Sequence, residues 1–203
     1  MIKKILQASC LSLLMLSSTS FAEGKGYKDL AAIQPTQDIN KVEVIEFFWY
    51  GCPHCYQFEP HLAKWAKNLP KNVNFIRQPA VFSKVWGKHA KAYFTAEVLG
   101  IVDKVHADLF HAIQVKKQTL SSENELADFF IAHGVALEDF TAAYHSFIVD
   151  TKMRQAKMMG PKYGITGVPA IVVNGKYMVS ARLAGSNEKM IEVINQLIAQ
   201  ESL

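Results

Sequence analysis

The spacing of apolar residues changes along the chain, and each change predicts a different kind of element. The segment Val42–Tyr50, with the sequence VEVIEFFWY, is rich in β-branched and aromatic residues, which is typical of a central strand. Gly51 breaks this strand, and apolar residues then recur at helical spacing as far as Leu69. A second strand is predicted for 72–77.

A helical pattern occupies most of the next part of the chain. It predicts helices at 84–99, around Val105–Ile113, after a capping box formed by Ser122 and Glu125, and at 137–147. We expect Asp150 to cap a fifth helix, and Met159-Gly160-Pro161 to end or kink it.

Strand-like residues return near the end of the chain. The runs 169–173 and 176–179 flank Asn174-Gly175, the strongest short signal for a β-hairpin. Ser186 is expected to begin a last helix. The order of elements predicts an α/β domain, 23–81 and 148–203, interrupted by a helical insertion, 82–147.

The first 22 residues have the pattern of a secretory signal. Lys3 and Lys4 precede a short apolar run, and Ser20-Phe21-Ala22 resembles a cleavage site. A membrane anchor is disfavoured because the run is far shorter than the roughly 20 residues needed to cross a bilayer. A lipoprotein site at Cys10 is also disfavoured, because Cys10 lies inside the apolar run.

Removal of this segment would leave a nearly neutral chain with two cysteines. Without Lys3 and Lys4, 20 of the 22 basic residues remain against 18 acidic ones, a balance of +2. No charge run indicates nucleic-acid binding, and no later segment is apolar enough to span a membrane. These features predict a bacterial periplasmic protein, in a compartment where disulfides persist.

The remaining cysteines, Cys52 and Cys55, are separated by Pro53-His54 at a predicted strand-to-helix junction. Pro53 suits the first helical position because it has no N–H to leave unpaired. The N-terminus of a helix favours a thiolate, so we expect Cys52, on the rim, to be the attacking sulfur and Cys55 the resolving one. His54 can stabilise the Cys52 thiolate.

Other uses of a Cys-x-x-Cys pair are less consistent with the sequence. A structural zinc site needs about four ligands, and no second cysteine pair exists. A c-type haem needs His directly after the second cysteine, where Tyr56 stands. A structural disulfide across so short a loop would constrain the unfolded chain little.

Several polar and aromatic residues allow two interpretations. Glu46 lies in an otherwise apolar strand, so it is either a buried acid in need of a partner or a surface residue. Trp49, Tyr50 and Phe82 border a peptide groove or belong to the core. The scattered histidines are interpreted as surface or capping residues: His89, His106, His111, His133 and His145.

The chain resembles the DsbA family of secreted thiol:disulfide oxidoreductases. The resemblance is carried by Glu46-Phe47-Phe48, by Cys52-Pro53-His54-Cys55 with the following Tyr-Gln-Phe-Glu, by Gly167-Val168-Pro169-Ala170, and by Val173-Asn174-Gly175-Lys176-Tyr177. It implies a thioredoxin-like fold with an inserted helical domain. It also implies that Pro169 is cis, and that Val168 and Pro169 bind substrate beside the cysteines.

The same resemblance implies roles for two charged residues and for partners. Glu46 would be a buried acid that moves protons to and from Cys55, with Arg77 as its basic neighbour. The enzyme would need no metal or external cofactor beyond the Cys52–Cys55 disulfide. Its partners would be unfolded secreted proteins and a quinone-linked inner-membrane protein that reoxidises it.

We therefore expect a monomeric, exported oxidase that introduces disulfides into unfolded secreted proteins. A reductase or isomerase on the same fold is the nearest alternative. An alternative of another class is a chaperone-like module that binds peptides and whose cysteines are incidental.

Overall fold

The computed structural model describes residues 24–202, which form five strands and eight helices. The strands are β1 (Tyr27–Asp29), β2 (Val42–Phe48), β3 (Val73–Pro79), β4 (Ala170–Val173) and β5 (Tyr177–Val179). The helices are α1 (Pro53–Ala66), α2 (Lys84–Val98), α3 (Val102–Gln114), α4 (Glu123–Ala132), α5 (Leu137–Tyr144), α6 (Phe147–Lys162), α7 (Ala181–Ala184) and α8 (Asn187–Glu201). The predicted signal segment, 1–22, lies outside the described residues.

One sheet positions the cysteine pair. Its order is β1-β5-β4-β2-β3, with β2 and β3 parallel and the other neighbours antiparallel. All residues of β2 are buried, as expected for a strand with neighbours on both sides and helices on both faces. The strand ends two residues earlier than predicted, because the Cys52 N–H donates to the Trp49 carbonyl and turns the chain.

Successive residues of β2 point to opposite faces of the sheet. Val42 and Val44 pack with α1 and α8 in one core cluster. Ile45 and Phe47 pack on the other face, against Tyr163 at the end of α6. Glu46 therefore points to the same face as Val44, which is the face that α1 covers.

Helices α2 to α5 follow β3 and pack around a core rich in aromatic residues and leucine. This core is continuous with the cysteine pair and with Phe48 and Tyr50. The capping box of Ser122 and Glu125 is confirmed at the start of α4. We propose that these four helices form the inserted domain, 82–147, before α6 returns the chain to the sheet.

The predicted cap of α6 is wrong. Ser146, not Asp150, caps the helix, because its hydroxyl accepts the Val149 N–H at 3.2 Å. Asp150 instead lies in the first turn, where its charge favours the helix dipole.

Helix α6 ends at Lys162, one residue after Pro161, so the prediction that Met159-Gly160-Pro161 ends or kinks it is confirmed to within one residue. A Cβ at position 160 would lie 2.8 Å from the ring of Phe82, so glycine permits the close approach of that ring. Pro161 is in the last turn, where the Tyr163 and Ile165 N–H groups bond to the Met159 and Gly160 carbonyls and complete the helix end. The last turn of α6 therefore tolerates Pro161, which has no backbone N–H to donate.

The predicted hairpin is confirmed, with Asn174 and Gly175 at φ of 50° and 63° between β4 and β5. Ser186 caps α8, as predicted. Two short elements were not predicted from the sequence: β1, a three-residue edge strand, and α7, a single turn. None of the helices within residues 24–202 is long and apolar enough to cross a membrane.

Candidate active site

Cys52 and Cys55 lie at the start of α1, directly after the carboxyl end of β2. Cys52 is the N-cap residue and Pro53 occupies the first turn of the helix. Both cysteines are free thiols, and the Cys55 N–H donates to the Cys52 sulfur at 3.4 Å. Cys52 is 7% exposed and Cys55 is fully buried, so Cys52 is less open than expected but is the more accessible sulfur.

The pKa of the Cys52 thiol is lowered from its ordinary value of 9.0 to about 6. The largest cause is hydrogen bonding from the Cys55 thiol; the backbone N–H groups of Cys55 and His54 and the charge of His54 add to it. Burial acts in the opposite direction. His54 itself is exposed at the helix start. A large part of the Cys52 side chains is therefore thiolate at neutral pH.

The pKa of the Cys55 thiol is shifted in the opposite direction, far above its ordinary value. Burial is the largest cause, and the charges of Cys52 and Glu46 add to it. A second anion beside the Cys52 thiolate is thus strongly disfavoured. The reduced pair holds one thiolate and one thiol.

Val168 and Pro169 lie beside the cysteines, at the start of the β4 strand. The Val168–Pro169 peptide bond is cis. When protonated, the Cys52 thiol donates to the Val168 carbonyl at 3.4 Å. A cavity of about 380 Å³ runs past His54, Val168 and Pro169 to Arg182. An extended chain lying there would pass next to the Cys52 sulfur.

Glu46 is fully buried, which excludes the surface interpretation. It lies opposite Arg77 in the β2–β3 register, with Arg77 Nε 3.3 Å from Glu46 Oε2. Burial is the main reason that the pKa of Glu46 is raised from 4.5 to about 8; the charge of Glu59 raises it further and that of Arg77 opposes the shift. At neutral pH this carboxyl is mostly protonated.

Glu59, for which the sequence predicted no role, completes the buried charge cluster with Glu46 and Arg77. Arg77 Nη2 donates to Glu59 Oε1 at 2.7 Å. A signal was present in the sequence, because Glu59 lies four residues after Cys55 and hence on the same face of α1.

The surface interpretation is wrong for two of the five histidines. His89 is 3% exposed and joins Trp49 to the Thr119 carbonyl, while His106 is 5% exposed and bonds to Tyr50. His106 precedes Phe110 by one helical turn, a spacing that places it on the apolar face of α3.

The three aromatic residues near the pair divide between core and surface. Tyr50 is 1% exposed and belongs to the core, whereas Phe82 is 42% exposed. Trp49 stacks on Trp86 with ring centroids 4.3 Å apart. The Trp49 ring also folds back over Gly51, where a Cβ would approach the ring to 2.2 Å and would have to displace it.

Within residues 24–202, no three His, Cys, Asp or Glu side chains are grouped so that they could hold a metal ion.

Comparison with known proteins gives consistent results over nearly the whole chain. A DSBA-like thioredoxin domain matches residues 86–190. The thiol:disulfide interchange protein DsbA of Pseudomonas syringae is 41% identical over 97% of this chain and 92% of its own length. The corresponding protein of Azotobacter vinelandii is 42% identical over 92% of this chain and 87% of its own.

Solved structures show the same relationship. The crystal structure of Pseudomonas aeruginosa DsbA superposes with a TM-score of 0.83 at 40% identity, covering 87% of this chain and 92% of that chain. Reduced DsbA1 from Neisseria meningitidis gives 0.78 at 26% identity, covering 91% and 96%. With its thioredoxin-like fold, the chain therefore belongs to the DsbA family and is a thiol:disulfide oxidoreductase.

Proposed function

We propose that this protein is an exported oxidase that introduces disulfide bonds into unfolded proteins of the periplasm. The observation that carries the proposal is the contrast between the two thiols: the pKa of Cys52 is lowered to about 6 and that of Cys55 is raised. The reduced enzyme is stabilised as a thiolate, and the disulfide form has no such stabilisation. This difference favours transfer of electrons from the substrate to the enzyme.

The reaction would take place in two exchange steps. A substrate thiolate attacks Cys52 Sγ, which forms a mixed disulfide and breaks the Cys52–Cys55 bond. Cys55 leaves as a thiolate and takes up one proton. A second substrate thiolate then attacks the substrate sulfur of the mixed disulfide and releases Cys52 as a thiolate. The substrate loses two electrons and the enzyme gains them.

Each site residue has a role in this scheme. Pro53 begins the helix without an unpaired N–H, and His54 stabilises the Cys52 thiolate. Glu46, mostly protonated at neutral pH, supplies the proton that Cys55 takes up. Val168 and Pro169 hold the substrate segment next to Cys52 by pairing with its backbone, as in strand addition.

The size of the thiolate effect can be estimated from the pKa shift. A thiol with a pKa of about 6 instead of 9.0 stabilises the reduced form by about 1.4 kcal/mol at pH 7, which corresponds to about 30 mV. Stabilisation of the thiolate by this amount is modest. A strongly oxidising pair would also need surroundings that destabilise the disulfide form relative to the dithiol form. A low cysteine pKa occurs together with strong oxidising power in DsbA proteins.

The proposed partners follow from the family and the signal-like segment. Relatives are named thiol:disulfide interchange proteins, which supports protein thiols as substrates. We propose that a quinone-linked inner-membrane protein reoxidises the Cys52–Cys55 dithiol, that no other cofactor is needed, and that the protein acts as a monomer.

The reduction potential of the cysteine pair tests the direction of electron flow. We expect equilibration with glutathione buffers to give a value more positive than about −180 mV, that of a disulfide isomerase. A value near about −270 mV, as in thioredoxin, would favour the reductase alternative.

Insulin-type thiol exchange, with Cys52→Ser as the control variant, tests whether the cysteines react at all. A wild-type protein no faster than this control would favour the chaperone-like alternative.

A further inference from the structure

A second cavity, of about 540 Å³, lies between the first half of α2 and the middle of α6, separate from the cavity beside Pro169. Its apolar lining includes Val81 and Phe82, just before α2, and Met153 on α6. Its charged lining consists of lysines: Lys84, Lys88, Lys91 and Lys157. These seven residues form the lysine groove.

The four lysines have no acidic partner within residues 24–202. None of the ion pairs formed in that range includes them, and no Asp or Glu lines the groove. Lys84, Lys88 and Lys91 are spaced four and three residues apart, so they share one face of α2. Because like charges repel each other, carboxylates in the groove would be attracted and would relieve this repulsion.

Gly87 keeps the floor of the lysine groove open. It lies inside α2, where glycine is less favourable than alanine because it loses more conformational freedom on folding. A Cβ at this position would lie 3.7 Å from Val81 Cγ1 and 3.8 Å from Met153 Cε, which are ordinary van der Waals distances. The fold could therefore accommodate an alanine. The missing side chain leaves room for an occupant from outside the chain.

The Phe82 ring provides a fixed apolar surface in the lysine groove. It is 42% exposed, and its inner edge lies so close to Gly160 that a Cβ there would be 2.8 Å away. Its centroid is 5.0 Å from that of Trp86, which stacks on Trp49. The Trp49 ring covers Gly51, directly before the first cysteine. This row of three rings connects the groove to the active site.

We propose that the lysine groove is a second binding site for protein substrates, and that it takes a short apolar segment flanked by acidic residues. The groove is concave and apolar at its floor, so it receives side chains of a chain segment. Its lysines attract carboxylates beside those side chains and disfavour basic segments.

A substrate held in the lysine groove lies near its reaction partner, since Val81 packs against the core cluster that contains both cysteines. Binding at this second site raises the effective concentration of the substrate thiol at Cys52. The inference takes from the proposed function only that the substrate is a protein, and it holds for either direction of electron flow.

Binding of cysteine-free peptides tests the lysine groove without redox chemistry. The probe is a short peptide in which Leu and Phe alternate with Glu, and the matched peptide has Gln in place of Glu. Isothermal titration calorimetry with the full-length Cys52→Ser protein gives both Kd values. We expect the Glu peptide to bind at least about fivefold more tightly than the Gln peptide, with a difference that shrinks as salt is added.

Charge reversal in the lysine groove should remove this preference. Lys88→Glu combined with Lys157→Glu should weaken binding of the Glu peptide at least about fivefold, because two attractions become repulsions. The matched control is Lys64→Glu combined with Lys67→Glu, which changes the net charge equally at exposed positions of and after α1. It should leave the Kd within about twofold of the unreversed protein.

Gly87→Ala tests the shape of the lysine groove without changing its charge. The added methyl group should weaken binding of both peptides by about threefold or more, because it occupies the floor. The Tm should be equal to or higher than that of the wild type, since alanine favours the helix. Loss of binding then cannot be attributed to misfolding.

Equal binding of the two peptides, no binding, or an equal loss in the Lys64 and Lys67 control would overturn the proposal. Unchanged affinity in Gly87→Ala would also overturn it, because the peptide would lie elsewhere. Sedimentation with phosphatidylglycerol vesicles in place of peptide binding would identify a lipid surface as the occupant and overturn it too. The reduction potential enters none of these results, so the groove and the oxidase assignment fail independently.

Discussion

At the residue scale, two cysteines separated by two residues have opposite chemical surroundings. Cys52 accepts hydrogen bonds from the Cys55 thiol and from N–H groups at the helix start, whereas Cys55 is buried among core residues. One helical turn is enough for this contrast, because the unpaired N–H groups are confined to the first turn. This contrast supports the proposed roles of Cys52 as the attacking sulfur and Cys55 as the resolving one.

Cys55→Ala should retain substrate proteins on Cys52 as stable mixed disulfides. The Cys52 thiolate can still attack the disulfide of an oxidised substrate or of a mixed-disulfide reagent, which breaks that disulfide and releases one of its sulfurs as a thiolate. No neighbouring thiol then releases the adduct from Cys52. The adducts can be counted on non-reducing gels after expression in cells with active protein export. Cys52→Ala, the control, should retain none. Equal capture by both variants would show that the roles are wrongly assigned.

His54→Ser should raise the pKa of the Cys52 thiol by about half a unit, because one stabilising charge and its ring are removed. Thiolate absorbance measured against pH in the reduced protein gives the midpoint. His61→Ser is the matched control, since His61 lies on the same helix but pairs with Glu188. A shift in the control as large as that in His54→Ser would contradict a local effect of His54.

The sequence could predict the residues of the motif but not all of their surroundings. Cys52 at the N-cap and Pro53 in the first turn follow from local rules, and both are confirmed. Glu59 and His106 meet because α1 and α3 pack together, and no local pattern specifies that contact. The burial of His106 shows that a histidine on an apolar helix face can be satisfied by partners from other elements.

At the element scale, the hairpin between β4 and β5 depends on a glycine for two separate reasons. Gly175 has φ of +63°, and a Cβ there would lie 2.1 Å from the Gln34 carbonyl oxygen. Gly164, after α6, has the same φ but no heavy atom within 4 Å of its Cβ position. An alanine at position 164 would therefore introduce backbone strain alone, whereas an alanine at position 175 would introduce the same strain and a steric clash.

Gly164→Ala should cost about 1 kcal/mol of the free energy of unfolding, the usual cost of a left-handed conformation for alanine. Gly175→Ala should cost at least about 2 kcal/mol more, because the loop at Gln34 must move and the Gln34 N–H bond to the Gly175 carbonyl is strained. Urea unfolding of both variants measures the difference. Equal losses of unfolding free energy in the two variants would show that the loop at Gln34 moves without an energetic cost.

Elements with strong local signals could be predicted, and elements that depend on tertiary contacts could not. The capping box before α4 and the Asn-Gly turn specify their elements locally. The close approach of the Phe82 ring to Gly160 on α6 is a tertiary contact, which the local sequence does not reveal. Strand β1 is short and exists because β5 offers it an edge.

At the scale of the whole molecule, the cysteine pair lies where the sheet meets the inserted helices. Gln114, at the end of α3, donates to the Tyr50 carbonyl at 2.7 Å and fixes the turn that precedes Cys52. The fold class could be predicted from the order of elements. The docking of the helices over β2 could not, because it depends on side-chain packing between distant segments.

The two thiols also couple the redox state to stability. The pKa of Cys52 is depressed by folding, so its stabilising contribution is present above about 9 and is lost as the pH falls through about 6. The pKa of Cys55 is raised, so its contribution is present below 9.0 and is lost above that value. The disulfide form has neither group. The stability gap between the forms should therefore be largest near pH 9.

Thermal unfolding of the dithiol and disulfide forms between pH 5 and pH 10 tests this account most directly. We expect the dithiol form to have the higher Tm at pH 7, with a gap that widens from about pH 6 to pH 9 and narrows on either side. His54→Ser should make the gap smaller at pH 7. A disulfide form with the higher Tm at pH 7, or a gap independent of pH, would contradict a stabilised Cys52 thiolate as the source of oxidising power.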